Sequence, residues 1–196
     1  RYGANRIKDV IMYHGRHEVE VSRDCPAVSV PYGAPVTIEK GCMAQITQKL
    51  GGSYTVYVDG NLYRVEGVDA DALGFEPTEA AETVVPEGEL TVESVRDMAW
   101  SLLATCYDPE IPVDIVNLGL VYRCEVDVVG EDQFKIDVDM TLTAPGCGMG
   151  TMIADEAKVK LQSIHGVVNV NVNLVWDPPW GREMMSEHAR LEMGMM

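Results

Sequence analysis

Apolar residues recur at every second position through the first third of the chain and shift to helical spacing in the second half. Val19 and Val21, Val36 and Ile38, then Tyr54, Val56 and Val58 alternate with polar neighbours. A period of two puts each set on one face of a strand. Asp59-Gly60 ahead of Leu62-Tyr63-Arg64-Val65 predicts a hairpin, because Asp-Gly suits a turn needing positive φ. Short strands punctuated by Gly and Pro predict a small β-rich domain over 1–75, either a barrel or a sandwich. Residues 76–90 are acidic, carry Pro77 and Pro86, and read as a linker.

From residue 91 the pattern sharpens. Thr91 is placed to cap a helix whose apolar face is Val92, Val95, Ala99, Leu102 and Cys106. Asp108 to Asp114 reads as a loop, since Pro109 and Pro112 lack backbone donors. Two strands follow: one over 121–129 with Tyr122, Cys124, Val126 and Val128 on one side, and one carrying Phe134, Ile136, Val138, Met140 and Leu142. Met149 to Ile164 has helical spacing through Ile153, Ala157, Val159 and Leu161. Val168, Val170, Val172, Leu174 and Trp176 predict a third strand, and Trp180, Met184, His188, Leu191 and Met195 predict one side of a terminal helix. The fold class is therefore α+β. A small N-terminal β domain precedes an α-β-β-α-β-α domain over 91–196, whose three-stranded mixed sheet is covered by helices. The first two strands of that sheet are antiparallel, and the helical crossover allows the second and third to be parallel. There are no internal repeats.

Composition narrows the function classes. The 196 residues carry a net charge of −16, from 31 acidic and 15 basic side chains. That field repels a phosphate backbone and argues against nucleic acid as a partner. No apolar run approaches the ~20 residues needed to cross a bilayer, and Arg1-Tyr-Gly-Ala-Asn-Arg6 lacks the apolar core of a signal peptide. The chain does not open with Met, which suggests that its natural start lies upstream. Five cysteines with no CxxC pair argue against a secreted disulfide scaffold and a self-contained zinc site, and point to a reducing cytoplasm.

Four of these cysteines have a plain reading. Cys106 and Cys124 fall on apolar faces, Cys42 shares the parity of Ala44 and Ile46, and Cys25 sits in a turn at Arg23-Asp-Cys-Pro26. Free Cys commonly packs as a small hydrophobe. Cys147 is different. It lies in Thr141-Leu-Thr-Ala-Pro-Gly-Cys-Gly-Met-Gly150, where a strand pattern stops and a helix pattern begins. Gly146, Gly148 and Gly150 allow a sharp bend that leaves the thiol uncovered. A helix start offers unsatisfied N–H groups and the positive end of the dipole, and both favour the thiolate that binds metals and attacks electrophiles. The plainer alternative is a tight connection in which Cys147 fills a small gap.

Other chemistries fare less well. The loop has no Walker lysine and does not fit GxGxxG, so nucleotide binding is weak. A thiol enzyme needs a base beside its nucleophile. His165 lies at the far end of the same helix, more than about 20 Å away at ~1.5 Å per residue. His14 and His17 form an HxxH that reads as a solvated segment. Asp108 and Glu110 precede prolines and are the nearest acidic groups that a loop could bring toward Cys147. The terminal methionines read as packing or interface residues.

Several separated motifs, in order, resemble one family. Asp108-Pro-Glu-Ile-Pro-Val-Asp-Ile-Val-Asn-Leu-Gly-Leu-Val-Tyr122 and Thr141-Leu-Thr-Ala-Pro-Gly-Cys-Gly-Met149 look like the signature of the PaaD/MIP-type iron–sulfur cluster assembly domain. Trp176-Asp-Pro-Pro-Trp180 and Met185-Ser-Glu-His-Ala-Arg190 match it as well. Arg23-Asp-Cys-Pro-Ala-Val and Leu50-Gly-Gly-Ser-Tyr-Thr-Val narrow the resemblance to the SufT-type branch, and so extend it over nearly the whole chain. Ala144 is a mild departure. The resemblance implies a non-enzymatic cytoplasmic factor that helps assemble iron–sulfur clusters or deliver them to apo-proteins. Its partners would be apo-clients and other cluster assembly proteins. It also implies that Cys147 is the functional cysteine, with Asp108 at the acidic position of the first motif. Protein-bound clusters usually need several thiolates, so one Cys per chain suits a labile cluster or iron shared across a homodimer or a client interface. Two rivals stay open: an adaptor whose Cys147 loop docks clients without metal, and a thiol-dependent enzyme.

Overall fold

The computed structural model describes residues 17–78, 83–85, 88–108, 111–144 and 149–194. The chain divides into two compact units, Arg1–Ala80 and Ala81–Met196, each with its own sheet.

The first unit is one antiparallel sheet. Its strands are β1 (His17–Glu20), β2 (Cys25–Val30), β3 (Pro35–Ile38), β4 (Met43–Leu50), β5 (Ser53–Val58) and β6 (Asn61–Glu66), in the spatial order β1-β4-β5-β6-β2-β3. β1 and β3 end the order, so among the described residues the sheet is open, neither a closed barrel nor a two-sheet sandwich. A 3-10 segment over Gly67–Leu73 closes its apolar face instead, burying Ala70, Ala72 and Leu73 against Val21, Ile46, Tyr54, Val56 and Val65. Asp59 and Gly60 both have positive φ (48° and 88°), as the Asp-Gly hairpin requires. Cys25 is not in a turn. It opens β2 and is fully buried in this core.

The second unit begins with α1 (Val92–Leu103). Thr91 caps it reciprocally: Ser94 N–H donates to Thr91 Oγ1 at 3.1 Å, and Thr91 N–H donates to Ser94 Oγ at 2.9 Å. The face that packs is Val95, Ala99 and Leu103, a strict four-residue spacing. Cys106 lies beyond the helix end, in a turn where its N–H donates to Leu103 O, yet it is fully buried.

The sheet of this unit has the order β7-β8-β9, formed by β7 (Val121–Gly130), β8 (Gln133–Met140) and β9 (Val167–Leu174). β7 and β8 are antiparallel, while β8 and β9 are parallel and joined through α2 (Gly150–Gln162). Phe134, Ile136, Val138 and Met140 are buried under the helices. The opposite face carries Arg123, Glu125, Lys135, Asp137, Asp139, Asn171 and Asn173.

The predicted single terminal helix is two shorter pieces. A 3-10 turn (Arg182–Met184) and α3 (Glu187–Glu192) are separated by an extended Met185. The buried side chains are Met185 and Ala189, while Leu191 is 53% exposed. Ser186 breaks the run because its hydroxyl accepts from Ala189 N–H and starts a new helix.

Candidate functional site

Parallel strands with a helical crossover collect their loops at the carboxyl ends. Two hydrogen bonds show which segments meet there. Thr141 N–H donates to Leu120 O, and Val175 N–H donates to Met140 O, both at 2.8 Å. The entry to β7 and the exits of β8 and β9 therefore lie side by side. The described parts of the 104–120 and 141–149 loops and the segment after Leu174 share one end of the sheet.

The first loop is held by buried carboxylates. Asp108 Oδ1 accepts from Ile111 N–H at 3.2 Å, an Asx-type turn in front of Pro112. Asp114 does more. Its Oδ1 accepts from Val116 N–H at 3.0 Å and Asn117 N–H at 2.9 Å, and its Oδ2 accepts from Asn117 Nδ2 at 2.7 Å. Burial raises the Tyr107 phenol pKa, and the Asp114 charge raises it further. Val113, Ile115, Leu118 and Leu120 turn inward from the same loop.

The segment after β9 straps this loop down. Trp180 Nε1 donates to Leu118 O at 2.8 Å, and the Tyr122 hydroxyl donates to Pro178 O at 2.8 Å. Gly119 has φ of 72°, and a side chain there would overlap the backbone oxygen of Met184. Only glycine meets both conditions. Sequence reading missed Asp114, Asn117 and Ser186 as a set. Asp114-Ile-Val-Asn117 carried a local signal, since Asp commonly accepts from backbone N–H groups two and three residues on.

At the second loop, α2 starts at Gly150 behind Met149, with no side-chain cap and no acidic residue in its first turn. Among the described residues no side chain caps its leading N–H groups. Gly150 sits close against the core, because a Cβ there would run into the Leu142 side chain, which would have to move. Cys147, Gly146, Gly148 and Glu110 lie outside the described residues, as do His14 and Met195. His165 follows α2 at the opposite end of the helix, where its N–H donates to Val84 O. His17 opens β1 of the first unit, 6.0 Å ring to ring from Phe75.

The other four thiols are withdrawn to different degrees. Cys25, Cys106 and Cys124 are buried, and Cys42 is half-buried against the first unit's core. Burial pushes the Cys25 and Cys124 thiols up to about 11. Among the described residues no group of three or more His, Cys, Asp or Glu could hold a metal ion, and no helix is long and apolar enough to cross a membrane.

Comparison with known proteins decides the family. A family model described as iron–sulfur cluster assembly protein matches residues 96–172. The chain is 48% identical over 88 residues to the Fe-S protein maturation auxiliary factor SufT of Staphylococcus aureus (strain USA300), covering 96% of that protein and 45% of this chain. The chain belongs to the iron–sulfur cluster assembly protein family. An Fe-S protein maturation auxiliary factor of Porphyromonas gingivalis (strain ATCC BAA-308 / W83) is 44% identical over 95 residues, 87% of its length and 48% of this chain. YitW of Bacillus subtilis (strain 168), named an Fe-S protein maturation auxiliary factor, is 39% identical over 103 residues, 97% of its length and 53% of this chain. These relatives align with about half of the chain rather than nearly all of it. The family model falls within the second unit and takes in α1 from Arg96, β7, β8, the 141–149 loop, α2 and most of β9.

Proposed function

We propose that the chain is a cytoplasmic, non-enzymatic maturation factor that helps assemble iron–sulfur clusters or deliver them to apo-proteins, with Cys147 as a labile ligand of the cluster or iron it carries. The observation behind this reading is the match over nearly the full length of relatives named Fe-S protein maturation auxiliary factors. The cluster is cargo here. A lone thiolate cannot make a complete cage, so a second chain of a homodimer, a client protein or a small thiol supplies the remaining ligands. An incomplete site binds weakly and releases readily, as transfer requires. Cys147 suits the part because it lies two residues ahead of Met149, where α2 begins without a side-chain cap, and such a setting favours the thiolate. Asp108, Glu110, Gly146, Gly148 and Gly150 shape the loops around it. Partners are apo iron–sulfur clients and other assembly proteins.

The test is anaerobic reconstitution of Cys147→Ala beside the wild type. Wild-type absorbance of a bound cluster that disappears in the variant supports the ligand role, and equal absorbance in both sinks it. The second reading is a metal-free adaptor that docks clients through the Cys147 loop. A Cys147→Ser chain that still restores client maturation would support the adaptor.

A further inference from the structure

We infer that Met184 is an oxidation site: turned to the sulfoxide by a hydroperoxide, its side chain takes the Tyr122 hydrogen away from Pro178 and loosens the turn that closes β9. The inference concerns the strap alone and holds whether or not Cys147 carries iron. Methionines crowd the end of the chain at Met184, Met185, Met193, Met195 and Met196, and the proposed cluster function uses none of them. Two of them sit where the strap crosses the 104–120 loop. The Met184 backbone oxygen lies against Gly119, and Met185 beside it is buried.

Tyr122 has one phenol hydrogen and faces two acceptors. Pro178 O lies 2.8 Å from its hydroxyl, and Met184 Sδ lies 3.6 Å from it. A thioether is a weak acceptor, so the carbonyl holds the hydrogen and Tyr122 pins the turn ahead of Trp180. Oxidation reverses that ranking. The Met184 sulfur gives an electron pair to the peroxide, an S–O bond forms as the O–O bond breaks, and the second oxygen leaves as water. The product is a polar sulfoxide, whose oxygen carries far more negative charge than the sulfur did. It stands beside the same hydroxyl and takes its hydrogen, and Pro178 O loses the Tyr122 donor.

Access selects this sulfur. Met184 is half-buried, within reach of a small peroxide, whereas Met140, Met149 and Met185 are buried. Met43 is exposed and reacts as well, but it lies on β4 of the first unit and has no part in the strap. The consequence runs along the chain. Val175 N–H is bonded to Met140 O, and the Trp180 indole N–H holds Leu118 O at 2.8 Å. Releasing Pro178 frees the run between those two contacts, so the 104–120 loop is held less firmly at the end of the sheet where the candidate site lies. A dithiol reductant returns the sulfoxide to the thioether with loss of water, and that reversibility makes the site a switch rather than a lesion.

The test exposes the metal-free full chain to graded hydrogen peroxide. Peptide mapping is expected to find the sulfoxide at Met184 before Met140, Met149 and Met185. Exchange of the Trp180 indole N–H and the Val175 amide, followed by NMR, should then quicken about two- to tenfold, as the loss of one ordinary hydrogen bond implies, with the amides of β8 unchanged. Met184→Leu keeps the bulk but cannot take the oxygen, so its exchange should not respond to peroxide. That variant retains every thiol and so also subtracts any effect of cysteine oxidation. Tyr122→Phe should exchange fast before peroxide and gain nothing from it. Sulfoxide appearing at Met185 as early as at Met184 overturns the site. An oxidised wild type that exchanges like Met184→Leu overturns the transfer of the hydrogen. An equal peroxide response in Tyr122→Phe overturns it too, because the loosening then does not pass through the phenol. None of these readouts involves iron, so failure here leaves the Cys147 reading where it stands.

Discussion

Ser186 and Asn117 lie 69 positions apart in sequence and are joined twice. The Ser186 hydroxyl donates to Asn117 Oδ1 at 2.8 Å, and Ser186 N–H donates to Asn117 O at 2.9 Å. Asn117 in turn donates to the buried Asp114, and the Ser186 hydroxyl accepts from Ala189 N–H to cap α3. One serine therefore fastens the C-terminal segment to the loop beside the candidate site. Ser186→Ala removes a helix cap worth ~1 kcal/mol and a side-chain bond worth about 1 kcal/mol. Denaturant unfolding of the second unit should lose about 1–2 kcal/mol. Ser186→Thr, which keeps the hydroxyl, should recover most of that loss.

Gly119→Ala should be worse. It meets a positive φ and the Met184 backbone at once, and neither can relax without lifting the strap. We expect at least about 2 kcal/mol of destabilisation. Hydrogen exchange should accelerate at Leu118–Leu120 and in α3 before it does in β8. Equal acceleration throughout the second unit would contradict the local account.

How much of this could be read beforehand follows from where each signal is stored. The strand over β8 and the cap at Thr91 were legible because a period of two and a Thr at a helix start are local properties. Cys124 is legible as core for the same reason, whereas Cys106 is core from a turn beyond α1 rather than from the helix face on which the spacing puts it. Arg23-Asp-Cys-Pro26 reads as a turn in sequence, whereas tertiary pairing with Ile38 makes Cys25 a strand residue. The terminal segment reads as one helix because apolar residues at helical spacing mask Ser186, whose role depends on Asn117. At the site, the sequence singles out Cys147, but the clasp of Asp114, Asn117 and Ser186 exists only once the chain has folded.

Thiol accessibility should order the cysteines. Alkylation by iodoacetamide follows the thiolate fraction. With burial holding Cys25 and Cys124 at about 11, their labelling at pH 8 should be at least about a hundredfold slower than that of an ordinary thiol. Peptide mapping should find Cys147 labelled first, Cys42 next, and Cys25, Cys106 and Cys124 only on unfolding. Because Cys25 and Cys124 titrate higher when folded, the unfolded chain loses their protons first. Stability should therefore fall as pH rises from about 9 toward 11.

Acid should act on the polar face of the second sheet. The Arg123 guanidinium, assisted by Asn173, holds Asp139 below the usual carboxylate range, and Lys135 with Asn171 does the same for Asp137. Depressed folded values mean that this stabilisation is complete above the unfolded carboxylate value, ~3.9, and is lost as pH falls through the folded values. The urea midpoint should decline below about pH 4. Asp139→Asn should start lower at neutral pH and decline less, and parallel curves for the two proteins would rule out this contribution.

Gly150 gives a test of packing beneath the Cys147 loop. As the first residue of α2 it is a poor helix former, and alanine there would gain up to ~1 kcal/mol from propensity alone. The structure predicts the opposite sign, because the added Cβ would overlap the buried Leu142 side chain, and overpacking a core costs about 1–3 kcal/mol. Leu142 is the far end of a side chain rather than backbone, so the clash can be relieved by shortening it. Leu142→Ala alone should cost about 2–5 kcal/mol from the cavity it leaves, and Gly150→Ala should then refill part of that space. A double-mutant cycle should therefore show the pair less destabilised than the sum by at least about 1 kcal/mol. Additive losses would mean that the helix start and Leu142 do not touch, and that Gly150 serves the loop rather than the core.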